Sequence, residues 1–303
     1  MIHAQLLNSA REDSEFLTQI RREFHQIPEF GLELPKTLQR VQQLVDGLGE
    51  IRISENMSAL ALTIRGGQPG PTVLLRGDMD ALAVIEDTGL SYASTNGYMH
   101  ACGHDLHIAG AIGAARLLAA NRDALRGDVV IWFQPGEEGH GGADIMIEEG
   151  FLEASGTKPI AAFGIHVFSN YPRGQFGSRV GALMAAAGGM TVTFTGQGGH
   201  GSMPWLSRDP ISPMTEAITA LQTMVAKRHT AFEPLVINVG WIKAGDPHTN
   251  NVIPESASFG ATIRTFSEAA TKAVHANIVE LLNGIASAHS LKVEVEFEPA
   301  TKV

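Results

Sequence analysis

The 303-residue sequence contains a single cysteine, Cys102. That excludes a disulfide framework and a four-cysteine zinc ribbon, and it fits a reducing compartment, so a cytoplasmic location is expected. Basic residues are in deficit: 22 Lys and Arg against 32 Asp and Glu leave a formal net charge of −10. Such a balance disfavours nucleic acid or an anionic membrane surface as partner. Long apolar runs are lacking as well. The longest, Ala109 to Ala120, is interrupted by Arg116 and falls short of the ~20 residues that span a bilayer. The opening MIHAQLLNSAREDSEFL has neither the basic start nor the apolar run of a secretory signal. What is present is 44% hydrophobic residues, enough for one or two ordinary cores, which excludes disorder for most of the chain and makes a small molecule the default partner.

Phe16, Ile20 and Phe24 recur at helical spacing, as do Leu38, Val41, Val45 and Leu48, so two amphipathic helices are expected in the first fifty residues. Strand-like runs follow at Ala59 to Ile64, Thr72 to Leu75, Asp128 to Phe133 and Ile160 to Ile165. Between them lie a helix over Ala109 to Ala120 and another centred on Met146. This alternation predicts an α/β domain with a mostly parallel sheet. After the Gly-rich segment Val180 to Gly189 the order changes. A strand (Met190 to Thr195), a helix (Asp209 to Arg228), two strands (Leu235 to Ile242, Ala257 to Arg264), a helix (Ser267 to Ala288) and a strand (Leu291 to Glu298) form a βαββαβ, ferredoxin-like pattern. The expected division is therefore 1–182, 183–298 and a stump, 299–303.

Ligand-type residues gather just after strand candidates: Asp78-Met79-Asp80, Glu137-Glu138 and His166, with His100-Ala-Cys102-Gly-His104-Asp105 leading into a helix. The carboxyl edge of an α/β sheet is where ligands bind. Thiolate, imidazole and carboxylate together suit zinc or a neighbouring transition metal, whereas magnesium or calcium calls for oxygen alone. PGEEG follows an apolar strand and ends in a glycine turn, a poor setting for a merely solvated acidic pair. Adjacent residues in extended backbone point to opposite sides, so if Glu138 holds metal, Glu137 can face water or substrate without competing for the same ion. Asp80 has the spacing to orient a ligand imidazole from outside the ligand set. Gly196-Gln-Gly198-Gly-His200-Gly201 matches GxGxxG literally, but Ser202-Met203-Pro204-Trp205 follows where a helix should begin, so dinucleotide binding is rejected. That turn presents His200 either for structure or for a substrate.

HACGHD, FQPGEEG, GIHV, TFTGQGGHGSMP, NVIP and ATIRTF, in that order, resemble the metal-dependent aminoacylase and hippurate hydrolase family. That group includes the plant hydrolases of auxin conjugates and is related to the carboxypeptidase-like dinuclear zinc peptidases. The resemblance begins at RREFHQIPE near Arg21 and runs past Arg264. It implies a catalytic α/β domain interrupted by a smaller lid domain, roughly Leu183 to Glu298, that makes a homodimer. It also implies two divalent transition metal ions, drawn from zinc, manganese, cobalt or nickel. Carried over residue by residue, Cys102, His104, Glu138 and His166 become metal ligands, Glu137 the general base, and Asp80 the aspartate supporting a ligand imidazole. His200 becomes the lid histidine that completes a partner's site, and Asn251 and Arg264 grip the substrate carboxylate.

Two substitutions depart from the resemblance. Trp205 stands where relatives commonly carry a histidine, and Ala83 stands where proline is usual after DMDAL. The family also continues into elements bearing a final metal-binding histidine, which these residues do not include. His107 and His140 are the first candidates to replace it. The expected function is metal-dependent hydrolysis of the amide bond of N-acyl amino acids; the alternatives are a dipeptidase of the same fold and a catalytically silent, truncated dimeric fragment.

Overall fold

The computed structural model describes residues 2–298, so the expected stump 299–303 lies outside the described residues. The chain divides into two compact units, Met1–Gln175 and Phe176–Val303. The division falls upstream of the expected position at 183. Residues 165–185 carry no helix or strand, and strand and helix patterns cannot place a boundary inside such a segment. Among the described residues no helix is long and apolar enough to cross a membrane.

The first unit opens with helices α1 (Ile2–Glu12), α2 (Ser14–Gln26) and α3 (Pro35–Val45). The two expected helices are α2 and α3, which bury Ile20 and Phe24, and Val41 and Val45. Helix α1 escapes the periodicity test because it is largely exposed and lacks a wide apolar stripe. Five strands follow: β1 (Glu50–Ile53), β2 (Leu60–Ile64), β3 (Val73–Asp78), β4 (Val129–Gln134) and β5 (Ala161–Gly164). Helix α4 (His104–Ala120) separates β3 from β4, and α5 (Gly142–Glu148) precedes β5.

The sheet order is β1-β2-β4-β3-β5, and the expectation of a mostly parallel sheet is corrected. β3 is parallel to β4 and β5, but β1/β2 and β2/β4 are antiparallel. The connections explain the split. A parallel neighbour needs a crossover of about a dozen residues or more. Helix α4 supplies one between β3 and β4, whereas 54–59 and 65–72 hold no helix. β1, fully exposed along its length, lacks the apolar run by which the other strands were recognised.

β2 and β4 are buried at every position because both faces of the sheet are covered. Leu60, Leu62, Ile64, Val129, Ile131 and Phe133 pack with Phe24, Val41 and Ile112 from the helices. Their alternates Ala61, Val130 and Trp132 pack with Met57, Met146 and Phe151 on the other side. Helix α4 is apolar nearly all round and correspondingly buried. It lies so close to β3 that a Cβ on Gly77 would stand 3.1 Å from the His107 carbonyl oxygen.

The second unit comprises β6 (Ala186–Thr195), β7 (Gly199–His200), α6 (Ile211–Lys227), β8 (Val236–Ala244), β9 (Val252–Ile253), β10 (Ser256–Thr265), α7 (Glu268–Ala288) and β11 (Lys292–Phe297). The main sheet, β11-β6-β10-β8, is antiparallel throughout, a βαββαβ arrangement. β6 starts earlier than its apolar run, at Ala186. Its Gly189 lies beside the exposed Glu298 carboxylate, which would have to swing aside for a side chain there. One face buries Met190, Val192, Phe194, Phe259 and Ile263 against Met214, Leu221, Val274, Ile278 and Leu282 of the two helices.

Phe24 is fully buried among α2, α3, α4 and β2 side chains. Phe24→Ala is expected to destabilise the first unit by about 3–5 kcal/mol, read as a lowered denaturant midpoint. A midpoint equal to wild type would show that this contact layer does not hold α2 to the sheet.

Candidate metal centre

Three parallel strands end side by side. Asp78 closes β3 opposite Gln134 at the end of β4; Glu137 and Glu138 follow β4, and His166 follows β5. Against this edge stands the first turn of α4, where His104, Asp105 and His107 are buried. The turn is preceded by Gly103 at φ +86, and a Cβ there would come within 2.5 Å of Val167 Cγ2, so both backbone angle and space demand glycine.

His104 is the hub. Its Nδ1 donates to the Asp80 backbone carbonyl at 2.8 Å, which leaves Nε2 turned toward the acids, 3.8 Å from Asp78 Oδ2, 3.8 Å from Glu137 Oε2 and 3.9 Å from Glu138 Oε1. Three donor sets share it: Cys102, His104 and His166; His104, Glu137 and Glu138; and Asp78, His104 and His107, each with ligand atoms within 4.8 Å of one another. Cys102 Sγ lies 3.3 Å from His166 Nε2. The structure therefore brings together all six residues named for the first unit's site.

Two details differ from expectation. Glu137 and Glu138 do not point to opposite sides: both reach the same imidazole nitrogen, because the segment is a turn closed by Gly139 N–H donating to the Glu137 carbonyl at 2.7 Å and not extended backbone. Asp80 supports His104 chiefly through its carbonyl. Its carboxylate Oδ1 stands 3.5 Å from the ring, while Oδ2 accepts from Glu138 N–H at 3.0 Å.

Asp78, among the ligand-type residues, and His107, a candidate for the final metal-binding histidine, both belong to the cluster. His107 Nδ1 meets Asp78 Oδ1 at 2.5 Å, and its Nε2 accepts from Val167 N–H at 3.0 Å. With both nitrogens engaged it orients Asp78 and the His166 loop, and it stands in the third donor set with Asp78 and His104. The signal was its place three residues after His104, on the same helix face. The other candidate, His140, packs edge-on to Phe30 with ring centroids 4.9 Å apart.

Crowded acids set the electrostatics. Burial works against ionising Asp78, yet His107, Arg76 and His104 hold its carboxyl down at about 2. Burial likewise opposes the His104 imidazolium, but the Asp80 carboxylate against its ring and the charges of Asp78 and Glu137 push it up to about 9. Burial, then Glu138, Glu137 and Asp78, push the Cys102 thiol up to about 12. Glu137 is raised by burial and by Glu138 and Asp78.

These residues fit a divalent transition metal. His104 Nε2 and Glu138 Oε1 are buried without a hydrogen-bond partner among the described residues. A cation among thiolate, imidazole and carboxylate donors satisfies such atoms and relieves the mutual repulsion of the acids.

In the second unit β7 pairs with β9 and sets His200 opposite Val252, while Gly201 N–H donates at 2.7 Å to the carbonyl of Asn251, the residue before β9. His200 Nδ1 accepts from Ser202 N–H at 3.1 Å, which assigns the ring proton to Nε2. Arg264 lies on β10 and donates through Nη1 to the Gly188 and Ile263 carbonyls at 3.2 and 3.0 Å and to Thr262 Oγ1. Trp205 is 74% exposed in a one-turn helix just after the His200 loop.

Residues 74–301 match peptidase family M20/M25/M40. The chain is 36% identical over 299 residues to thermostable carboxypeptidase 1 of Saccharolobus solfataricus, covering 97% of this chain and 74% of that protein. It is 37% identical over 280 residues to the N-acetyl-L-cysteine deacetylase of Bacillus subtilis, covering 92% and 66%. Among solved structures it is similar to the YXEP protein of Bacillus subtilis, a dinuclear metal binding peptidase of the M20 family. That likeness has a TM-score of 0.78 and 30% identity, and covers 95% of this chain and 74% of that one.

At pH 7 the metal-free site carries Cys102 as thiol and His104 as imidazolium, and both must lose a proton to ligate. Uptake of a metal ion is therefore expected to release about two protons, so affinity rises with pH through neutrality. Indicator absorbance in weak buffer during a zinc titration measures the release; none would contradict this donor set. Cys102→Ser and His104→Ala are expected to retain much less metal after dialysis than wild type.

Proposed function

The chain belongs to peptidase family M20/M25/M40, a family of metal-dependent hydrolases, and on that footing we propose that it hydrolyses the amide bond of N-acyl amino acids. The observation that carries the reading is the convergence of Cys102, Glu137, Glu138 and His166 on His104 at the strand ends. Cys102, His104, Glu138 and His166 would hold two divalent ions, drawn from zinc, manganese, cobalt or nickel. When bound, such ions polarise the scissile carbonyl and acidify the attacking water.

Glu137 takes the proton of that water and passes it to the leaving amine. Its side chain is the more open of the pair, 36% exposed against 24% for Glu138, and its raised pKa brings it nearer the working pH of a base. Asp80 holds His104 through its carbonyl and Glu138 through its carboxylate. His200 offers its Nε2–H to the oxyanion of a substrate bound in a second copy of the chain, which makes the active species a homodimer. Asn251 and the Arg264 guanidinium take the substrate carboxylate, a charge that a planar fork of donors suits. A single free thiol serving as ligand fits a reducing, cytoplasmic setting.

The likeness to a carboxypeptidase supports a second reading, cleavage of peptide bonds next to a free carboxylate. The ratio of kcat/KM for N-acetyl or N-benzoyl amino acids to that for matched dipeptides separates the two.

Glu137→Gln is expected to keep its metal and lose roughly two to four decades of turnover, whereas Glu138→Ala loses metal. Metal analysis alongside an N-acyl amino acid assay checks both. Metal loss in Glu137→Gln equal to that of Glu138→Ala would reverse the two assignments.

A further inference from the structure

Behind the donor set lies a second buried polar cluster that the proposed reaction does not use. Helix α2 places Arg21 and His25 one turn apart. His25 Nδ1 lies 2.7 Å from Asp105 Oδ2, and its Nε2 lies 3.1 Å from Glu86 Oε1. Arg21 Nε approaches the same Asp105 oxygen at 2.7 Å. The side chains of Asp105 and Glu86 are fully buried, and that of His25 nearly so. Ionised carboxylates only accept hydrogen bonds, so both ring nitrogens donate and His25 sits as an imidazolium between two acids. With Arg21 the cluster holds two positive and two negative groups and is internally neutral, which makes its burial tolerable.

The placement of the two acids matters more than their charge. Asp105 directly follows His104 in the first turn of α4. Glu86 belongs to a loop whose base is closed by reciprocal backbone bonds between Leu82 and Met99, 3.0 Å each. Its carboxylate gathers that loop by accepting from Ser94 N–H at 2.6 Å and Thr88 Oγ1 at 2.5 Å. Asp80 lies just before the loop base, and Cys102 and His104 lie just after it. His25 therefore ties two separately placed parts of the donor-bearing segment to α2, which Ile20 and Phe24 anchor in the core.

We propose that His25 is a positioning residue for the metal centre: by bridging Asp105 and Glu86 it fixes where the segment from Asp80 to His104 presents Cys102 and His104. The proposal rests on the metal-centre reading above. Removal of the bridge lets the loop and the helix turn shift relative to each other. Loss of a group that orients ligands costs roughly ten- to a hundredfold in metal affinity.

The test is a cadmium titration of the chelator-dialysed protein, followed by the ultraviolet thiolate-to-cadmium charge-transfer band and not by activity. Far-UV circular dichroism verifies that each variant is folded. Wild type is expected to give a saturable band that Cys102→Ser abolishes. His25→Gln offers one amide donor where the imidazolium offers two nitrogens on opposite sides. It is expected to reach the band only at roughly ten- to a hundredfold more cadmium. Glu86→Ala removes the loop end of the bridge and is expected to weaken binding in the same direction; it carries the test alone if His25→Gln does not fold. Because both changes break one bridge, the double variant should bind no more weakly than the worse single variant. Folded variants that titrate like wild type, or single effects that add in the double variant, overturn the proposal and leave the metal centre standing. A wild-type titration without a thiolate band removes the metal centre itself and the proposal with it.

Discussion

The site depends on the orientation of one imidazole. His104 opens a helix buried nearly all round, and its Nδ1 is committed to the Asp80 carbonyl; what remains is a single nitrogen, Nε2, facing Asp78, Glu137 and Glu138. Commitment of one ring nitrogen fixes both tautomer and ring plane, and that makes the other a directed donor to a cation. Were Nδ1 free, the ring would rotate and the three sets of ligand atoms would lose their common member.

Such an arrangement needs a stiff support, and the support comes from apolar packing on both faces of β2, β4 and β3. The parallel strands bring their ends to one edge because α4 crosses back over the sheet, and α4 lies so close that a side chain at Gly77 would press on its backbone. Polar groups in the first turn of this helix carry a desolvation cost, and the structure meets it group by group. His107 is bonded on both nitrogens, Asp105 pairs with His25 and Arg21, and His104 has its Asp80 carbonyl. Two of the buried polar atoms without partners, His104 Nε2 and Glu138 Oε1, stand where donor chemistry converges.

Much of this was legible in the sequence because it rests on local periodicity and on chain order. The apolar runs of β2, β3 and β4 and the stripes of α2 and α3 announce themselves, and the βαββαβ order of the second unit follows from strand and helix lengths. Strand direction was not legible. Alternation of strands with helices suggested mostly parallel pairing, yet the outcome depended on two helix-free connections and on β1, too short and exposed to register as a strand. The donor residues were found by type and position, but their directions were not. The opposed orientation expected for Glu137 and Glu138 assumes extended backbone, and Gly136 at φ +66 and Gly139 at φ +84 curl that segment into a turn. Nor does any local pattern show that His25 and Glu86 meet, since 61 positions of chain separate them.

That turn bears on how two adjacent glutamates are distinguished chemically. With both carboxylates within 4 Å of the same nitrogen, direction cannot separate their roles, and environment must. Glu138 has its backbone N–H pinned by Asp80, which is in turn fixed against His104, so it belongs to the rigid part of the site. Glu137 is the more exposed of the two. Burial and the neighbouring charges of Glu138 and Asp78 raise its pKa. In the metal-free site the like charge of Glu138, held close by this arrangement, makes Glu137 the readier of the two to accept a proton. The two glutamates differ less in where they point than in what holds them, and the Asp80 carboxylate is the group that makes the difference.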